Sequence, residues 1–369
     1  MPTRVYTGVS QPDVASLTHN GVHYRCYVWK DRSTQSIESA VYIEQEAGQE
    51  VLLHRERLFV TSNPILWWTP DSPKVIAVGS TFICHWIDAE VAGEEGYNPR
   101  LHRATLLAGA SPSWTQQGSI VIGDDLLHDI QPLTGSDTDY IVAYAEGSTR
   151  IVVRRQDGVA WTDLVWSANI NIPHANRVLA CYGHLDDGEV LIGVESTSTP
   201  NTFWCAALDV DGAALGSAQS FTTLGDAAFY QAGFARYGEN IVALVVDALN
   251  SGSGADTAEV MQIAYVFINS TNATPIANEH SCYHLRMLSR PWSYAGARED
   301  GADPNVYCVV GYNNCENEDE FIQRNAYVVN LAAHEWYDVS SGGDHVIRPR
   351  IVSNLNQGTA DTNVAIWHP

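Results

Sequence analysis

The chain has 369 residues, 45% hydrophobic and 10% aromatic, which is ample material for a packed core and excludes a globally disordered chain. Acidic residues number 43 against 20 basic ones, and the net charge of −23 repels nucleic-acid phosphate, so sequence-specific nucleic-acid binding is not expected. No run of about 18 apolar residues exists to span a membrane as a helix, and the opening MPTRVYTGVSQPDV has no apolar stretch of the length a secretory segment needs.

In chain order, seven polar turns each lead straight into a short apolar strand, roughly every 50 to 65 residues. THNG (18–21) precedes VHYRCYVW (22–29), PDSP (70–73) precedes VIAVG (75–79), and GSDTD (135–139) precedes YIVAYAE (140–146). LDDG (185–188) precedes VLIGVE (190–195), and YGEN (237–240) precedes IVALVV (241–246). EDGADPN (299–305) precedes VYCVVGY (306–312), and NQGTADTN (356–363) precedes VAIW (364–367). Within a unit the expected order is an apolar strand, the turn, a second strand, a variable loop and a third strand. In the second unit these are ILWW (65–68), PDSP, VIAVG and TFICHWIDAE (81–90).

Each strand is rich in β-branched and aromatic residues and bounded by turn formers, and no segment has convincing helical periodicity. The second strand of each unit is apolar almost throughout, which implies burial on both faces. A small antiparallel sheet achieves that only between two neighbours, and radial packing of such sheets also protects their edges. The expectation is therefore an all-β chain forming a single seven-bladed propeller over 1–369, with six blades as the alternative. The seventh unit has only PRIVSNL (349–355) and NVAIW (363–367), so TRVYTGVS (3–10) is expected to close the ring beside them. A pair of sandwiches divided near Ile170 is disfavoured because no linker-like stretch occurs. The long segments 89–100, 250–259 and 314–320 fall at equivalent places in their units, which puts the insertions on one face.

Seven cysteines (Cys26, Cys84, Cys181, Cys205, Cys282, Cys308, Cys315) lie mostly inside strands without CxxC spacing, and read as reduced, buried thiols. DVDG, with Asp209 and Asp211, lacks the further oxygen ligands of a calcium loop and reads as a hairpin turn. RRQDGVAW (154–161) reads as a turn after a strand. The adjacent carboxylates Asp186 and Asp187, Glu94 and Glu95, and Asp124 and Asp125 read as solvated loop groups. His280, Cys282 and His284 would share one face of a strand but have no fourth zinc ligand. Trp67, Trp68, Trp86, Trp204, Trp292 and Trp336 are expected to pack between blades, whereas Trp114 and Trp161 lie in turn-rich stretches and are candidates for stacking on sugars. The sequons at Asn269 and Asn272 carry little weight. No catalytic, cofactor-binding or metal-binding residue is assigned, and no cofactor is expected.

The chain resembles the β-propeller superfamily in its repeat architecture, without the signatures of its sialidase, WD40 or kelch branches. The acidic charge and the missing catalytic constellation are similar to what nozzle or tail-hub propellers of tailed viruses would need. That resemblance implies a non-enzymatic virion protein, assembled in a host cytoplasm and partnered by other subunits, with no membrane insertion. The alternative is a carbohydrate-binding or glycoside-hydrolase propeller, with a glycan as partner.

Overall fold

The computed structural model describes residues 9–31, 34–46, 49–60, 73–92, 96–122, 128–146, 150–158, 160–196, 202–221, 227–238, 241–251, 259–276, 280–287, 296–300, 305–313, 324–330, 335–338, 350–353 and 362–365. All regular structure in them is β. The first sheet contains β1 (Val9–His19), β2 (Val22–Asp31), β3 (Ser36–Glu46) and β4 (Gln49–Val60). The second contains β5 (Lys74–Val78), β6 (Thr81–Ala92), β7 (Gly96–Leu107) and β8 (Trp114–Val121). The third contains β9 (His128–Pro132), β10 (Asp139–Ala145), β11 (Arg150–Asp157) and β12 (Leu164–Asn171), and the fourth β13 (Ala175–His184), β14 (Glu189–Ser196), β15 (Thr202–Asp209) and β16 (Gln219–Phe221). Then come β17 (Ala227–Gly238), β18 (Ile241–Ser251), β19 (Glu259–Asn269) and β20 (His280–Met287). The chain continues with β21 (Gly296–Asp300), β22 (Asn305–Asn313), β23 (Arg324–Asn330), β24 (Glu335–Asp338), β25 (Arg350–Ser353) and β26 (Thr362–Ala365).

Every sheet is an antiparallel meander in chain order: six have four strands, and β25–β26 form a two-stranded one. First strands touch first strands, β1 against β5, β5 against β9 and so on to β21 against β25, and β25 touches β1. The sheets are thus arrayed side by side about a common centre, which is the propeller architecture.

The apolar second strands show why the sequence does this. All of β10 and all of β14 are buried. Alternation sends Tyr140, Val142 and Tyr144 into the layer shared with the second sheet, and Ile141, Ala143 and Ala145 into the layer shared with the fourth. The outer strand β12 alternates exposed with half-buried residues instead. Each core is consequently a layer between neighbouring sheets, and a face that lost its neighbour would expose its whole apolar stripe.

Buried carboxylates link the first strands. Asp13 on β1 accepts from the Val75 backbone N–H on β5 at 2.9 Å. Asp129 on β9 accepts from the Cys181 N–H on β13 at 2.7 Å through Oδ2 and pairs with Lys74 on β5 at 2.9 Å through Oδ1. Lys74 also donates to the His128 carbonyl. Between the third and fourth sheets, Thr134 N–H donates to the Gly183 carbonyl at 2.9 Å, and Leu185 N–H returns to the Thr134 carbonyl at 2.8 Å.

Three expectations need correction or restriction. VIAVG is the first strand of its sheet, not the second: the hairpin turn after it is Gly79–Ser80, with Gly79 at φ +55° under the Asp137 carbonyl. ILWW lies outside the described residues. Of the proposed closing strand 3–10, residues 3–8 lie outside them as well, while Val9 and Ser10 pair with Asp31 and Lys30 inside the first sheet. The three long segments all fall between the second and third strands of their sheets, at β6–β7, β18–β19 and β22–β23. Among the described residues no helix is long and apolar enough to cross a membrane.

Candidate functional site

The layer between the second and third sheets is apolar at Ile76, Ile83, Ile87, Leu101, Ile130 and Val142, yet it contains a polar island. The second sheet contributes His85, between Ile83 and Ile87 on β6, and Arg103, its cross-strand partner on β7. The third contributes Tyr140 on β10 with its partner Gln156 on β11, and Arg154, which pairs with Val142. Period-2 alternation aims these side chains across the layer at one another. A register shift between Arg155 and Gln156 sits beside them, a place where bulges commonly re-aim a side chain.

His85, Arg103 and Gln156 are each 0% exposed. One terminal nitrogen of Arg103, Nη1, donates to the Tyr140 hydroxyl. Burial, partly opposed by the charge and hydrogen bond of Arg103, pushes the Tyr140 phenol up to about 12. The His85 ring is held far below the usual imidazole value by burial, then by the positive charges of Arg103, His128 and Arg154, so it is neutral at pH 7. Trp161, in the β11–β12 connection, closes the island. Its ring lies 4.2 Å from the Arg103 guanidinium carbon, 5.4 Å from that of Arg154 and 5.3 Å from the His85 ring. The indole remains half-buried, with its N–H donating to the Gly118 carbonyl at 3.3 Å. Trp161 is therefore reachable from solvent on a bed of cations. The arrangement can bind a ligand that offers an apolar face and hydrogen-bond acceptors.

Of the two sugar-stacking candidates, Trp161 keeps part of its ring open to solvent and Trp114 does not. Trp114 is 7% exposed, packs in the layer between the first and second sheets and donates its indole N–H to Ser39 Oγ at 2.8 Å, so it is a core residue. Trp86, stacked on His102, and Trp204 pack between sheets as expected. Trp336 lies on β24 without a described side chain, and Trp67, Trp68 and Trp292 lie outside the described residues. DVDG is a turn in which Asp209 Oδ1 accepts from Asp211 N–H at 3.0 Å and Ala213 N–H at 2.7 Å. Asp187 contacts His184 at 3.2 Å in the β13–β14 turn, where Asp186 also lies. Glu94, Glu95, Asp124, Asp125 and Cys315 are outside the described residues.

His280, Cys282 and His284 all lie on β20, but its register with β19 slips between Ile263 and Ala264 and gives Cys282 no partner, so strict alternation is interrupted there. Cys26, Cys84, Cys181 and Cys205 are free and buried. Asn269 and Asn272 each cap their own turn, accepting from the Thr271 and Thr274 hydroxyls at 2.6 Å. Sequence reasoning missed His85 and Arg103. Their one signal is a polar residue on the inward parity of an otherwise apolar strand. Arg154, Gln156 and Trp161 sit within RRQDGVAW, which does form the turn after a strand.

No family model and no curated protein matches the chain. Solved structures do. AofleA from Arthrobotrys oligospora is 9% identical, with 90% of this chain and 87% of that chain covered and a TM-score of 0.50. A mutant of the Synechocystis apocarotenoid oxygenase is 10% identical over 90% of this chain and 79% of that one, with a TM-score of 0.51. The Penicillium chrysogenum alpha-L-arabinanase complexed with arabinobiose is 9% identical over 100% and 95%, with a TM-score of 0.45. At such identities the likeness is one of fold. It overturns the expectation that the chain is not an enzyme, because the architecture it shares with the oxygenase is one that carries catalysis. None of these three is a tailed-virus protein, and the virion reading gains nothing from them. Sheet order and comparisons agree on an all-β propeller.

Proposed function

We propose that the chain is a carbohydrate-active β-propeller of seven blades, one unit over 1–369, that takes its glycan at the boundary between the second and third sheets. The observation that carries this reading is the half-exposed Trp161 indole laid 4.2 Å from Arg103, beside His85 and Arg154. A sugar ring has apolar C–H faces and a rim of hydroxyls. An aromatic platform ringed by a few buried polar groups suits both. The blade count is supported by the six four-stranded sheets, the β25–β26 pair and the contact of β25 with β1.

The test is a glycan array and a panel of chromogenic glycosides, each run with the native protein and with Trp161→Ala. Binding or turnover that is lost in the variant is the expected result. Blank panels for the native protein, or a ligand held equally well by Trp161→Ala, overturn the reading.

A further inference from the structure

The island beneath Trp161 is mismatched in a way that names a ligand group. Among the described residues, Arg103 Nε and Nη2, Arg154 Nε, both amide atoms of Gln156 and both ring nitrogens of His85 are buried without a hydrogen-bond partner. Each such atom costs about 1–3 kcal/mol when left unpaired, so a set this large calls for an occupant. Donors dominate it. Four guanidinium N–H bonds, the two amide hydrogens of Gln156 and one imidazole N–H face only the Gln156 carbonyl and the second imidazole nitrogen as acceptors.

Charge points the same way. Arg103 and Arg154 bring two positive charges and His85 none, while Asp163, whose Oδ2 accepts from the Ala160 N–H at 2.8 Å, is the carboxylate acting on Arg103. The island is cationic inside a protein of net charge −23. The decisive detail is which edge of Arg103 is open. Nη1 is spent on Tyr140, whereas Nε and Nη2 form the side-on edge whose two parallel N–H bonds match the oxygens of a carboxylate.

We propose that this island binds a carboxylate, held side-on by Nε and Nη2 of Arg103 with Gln156 Nε2 and Arg154 Nε as further donors, beside the Trp161 ring on which the rest of the ligand stacks. The carboxylate is that of an acidic sugar, a step that rests on the carbohydrate reading above. The donor set alone would equally take a free organic acid, and the experiment separates the two.

Calorimetric titration compares galacturonate and glucuronate oligosaccharides, the same oligosaccharides after carboxyl reduction, and acetate with free galacturonic acid. The variants are Arg103→Lys, which keeps the charge and loses the fork, and Gln156→Glu, which adds a like charge at nearly constant shape. Near-ultraviolet circular dichroism checks that each variant is folded. The expected result is binding of the acidic oligosaccharides, weakened about 10- to 100-fold by carboxyl reduction or by either variant, the worth of a charge-assisted bidentate bond. Should Arg103→Lys fail to fold, Gln156→Glu and the carboxyl-reduced ligands decide alone. Neutral and acidic sugars binding equally would overturn the carboxylate site and leave the carbohydrate reading standing. Acetate or the free acid binding, with the oligosaccharides silent, would uphold the site and overturn the reading. Silence from every carboxylate would overturn the site.

Discussion

Asp129 is the residue whose removal tests the ring most severely, because its carboxylate joins three first strands. Oδ1 meets the Lys74 ammonium at 2.9 Å and Oδ2 accepts from Cys181 N–H at 2.7 Å, with Asp129 4% and Lys74 9% exposed. Asp129→Ala leaves the buried Lys74 ammonium with the His128 carbonyl alone of these two partners, and takes from Cys181 N–H its carboxylate acceptor.

 Lys74 then keeps a neutral carbonyl partner in place of a carboxylate, with its side chain only 11% exposed. Breaking a buried pair from one side costs about 3–5 kcal/mol. A chain of 369 residues unfolds with an entropy of about 0.8 kcal/mol/K, so the loss lowers Tm by about 4–6 °C. Asp129→Asn keeps an acceptor for Cys181 N–H and loses only the charge, and is expected to fall between the two. Asp211→Ala, at an exposed turn position, serves as control and is expected within about 0.5 kcal/mol of the native protein. Differential scanning calorimetry reads all three. An Asp129→Ala protein that melts together with the Asp211→Ala control would refute the claim that buried carboxylates hold neighbouring sheets together.

Two further outcomes are expected. A Cβ on Gly193 would sit 2.8 Å from Phe203 Cζ and 3.4 Å from Phe234 Cζ, so Gly193→Ala is expected to cost about 1–3 kcal/mol in urea unfolding, with Phe203→Leu restoring part of it; an unchanged midpoint would contradict the packing between the fourth and fifth sheets. Burial raises the Glu189 carboxyl above its ordinary value. The folded state therefore holds the proton more tightly than the unfolded one, and stability falls as pH rises from about 4.3 through the folded pKa. Glu189→Gln is expected to melt higher than the native protein at pH 7 and level with it below about pH 4, whereas a difference independent of pH would show that the charge is not responsible.

The fold was legible where one physical pattern dominates a strand. YIVAYAE and VLIGVE are apolar at both parities, and the only way to bury both parities is between two sheets, which is where β10 and β14 lie. The phase of the second sheet was not legible. PDSP is the stronger turn string, while the hairpin is made at Gly79–Ser80, where a single glycine at positive φ passes under the Asp137 carbonyl of the next sheet, a tertiary constraint with no local signature. The positions of the fourth strands were not legible, for a related reason: LVWSANIN alternates polar and apolar residues like many surface loops, and only its pairing with β11 makes it an edge strand. At the candidate site, Trp161 was visible because an aromatic in a turn-rich stretch stands out. Trp114 stood out equally and proved to be core, because the first sheet offers Ser39 to its indole N–H. His85 and Arg103 lie some distance along the chain from Arg154, Gln156 and Trp161, and they meet only because two sheets stack face to face.

The most direct test of the account is an experimental structure of the protein with an acidic oligosaccharide bound. The account predicts the sugar against Trp161 with its carboxylate on the Nε and Nη2 edge of Arg103, between the second and third sheets. A ligand seated elsewhere on the ring, with no oxygen on the Nε and Nη2 edge of Arg103, would contradict it.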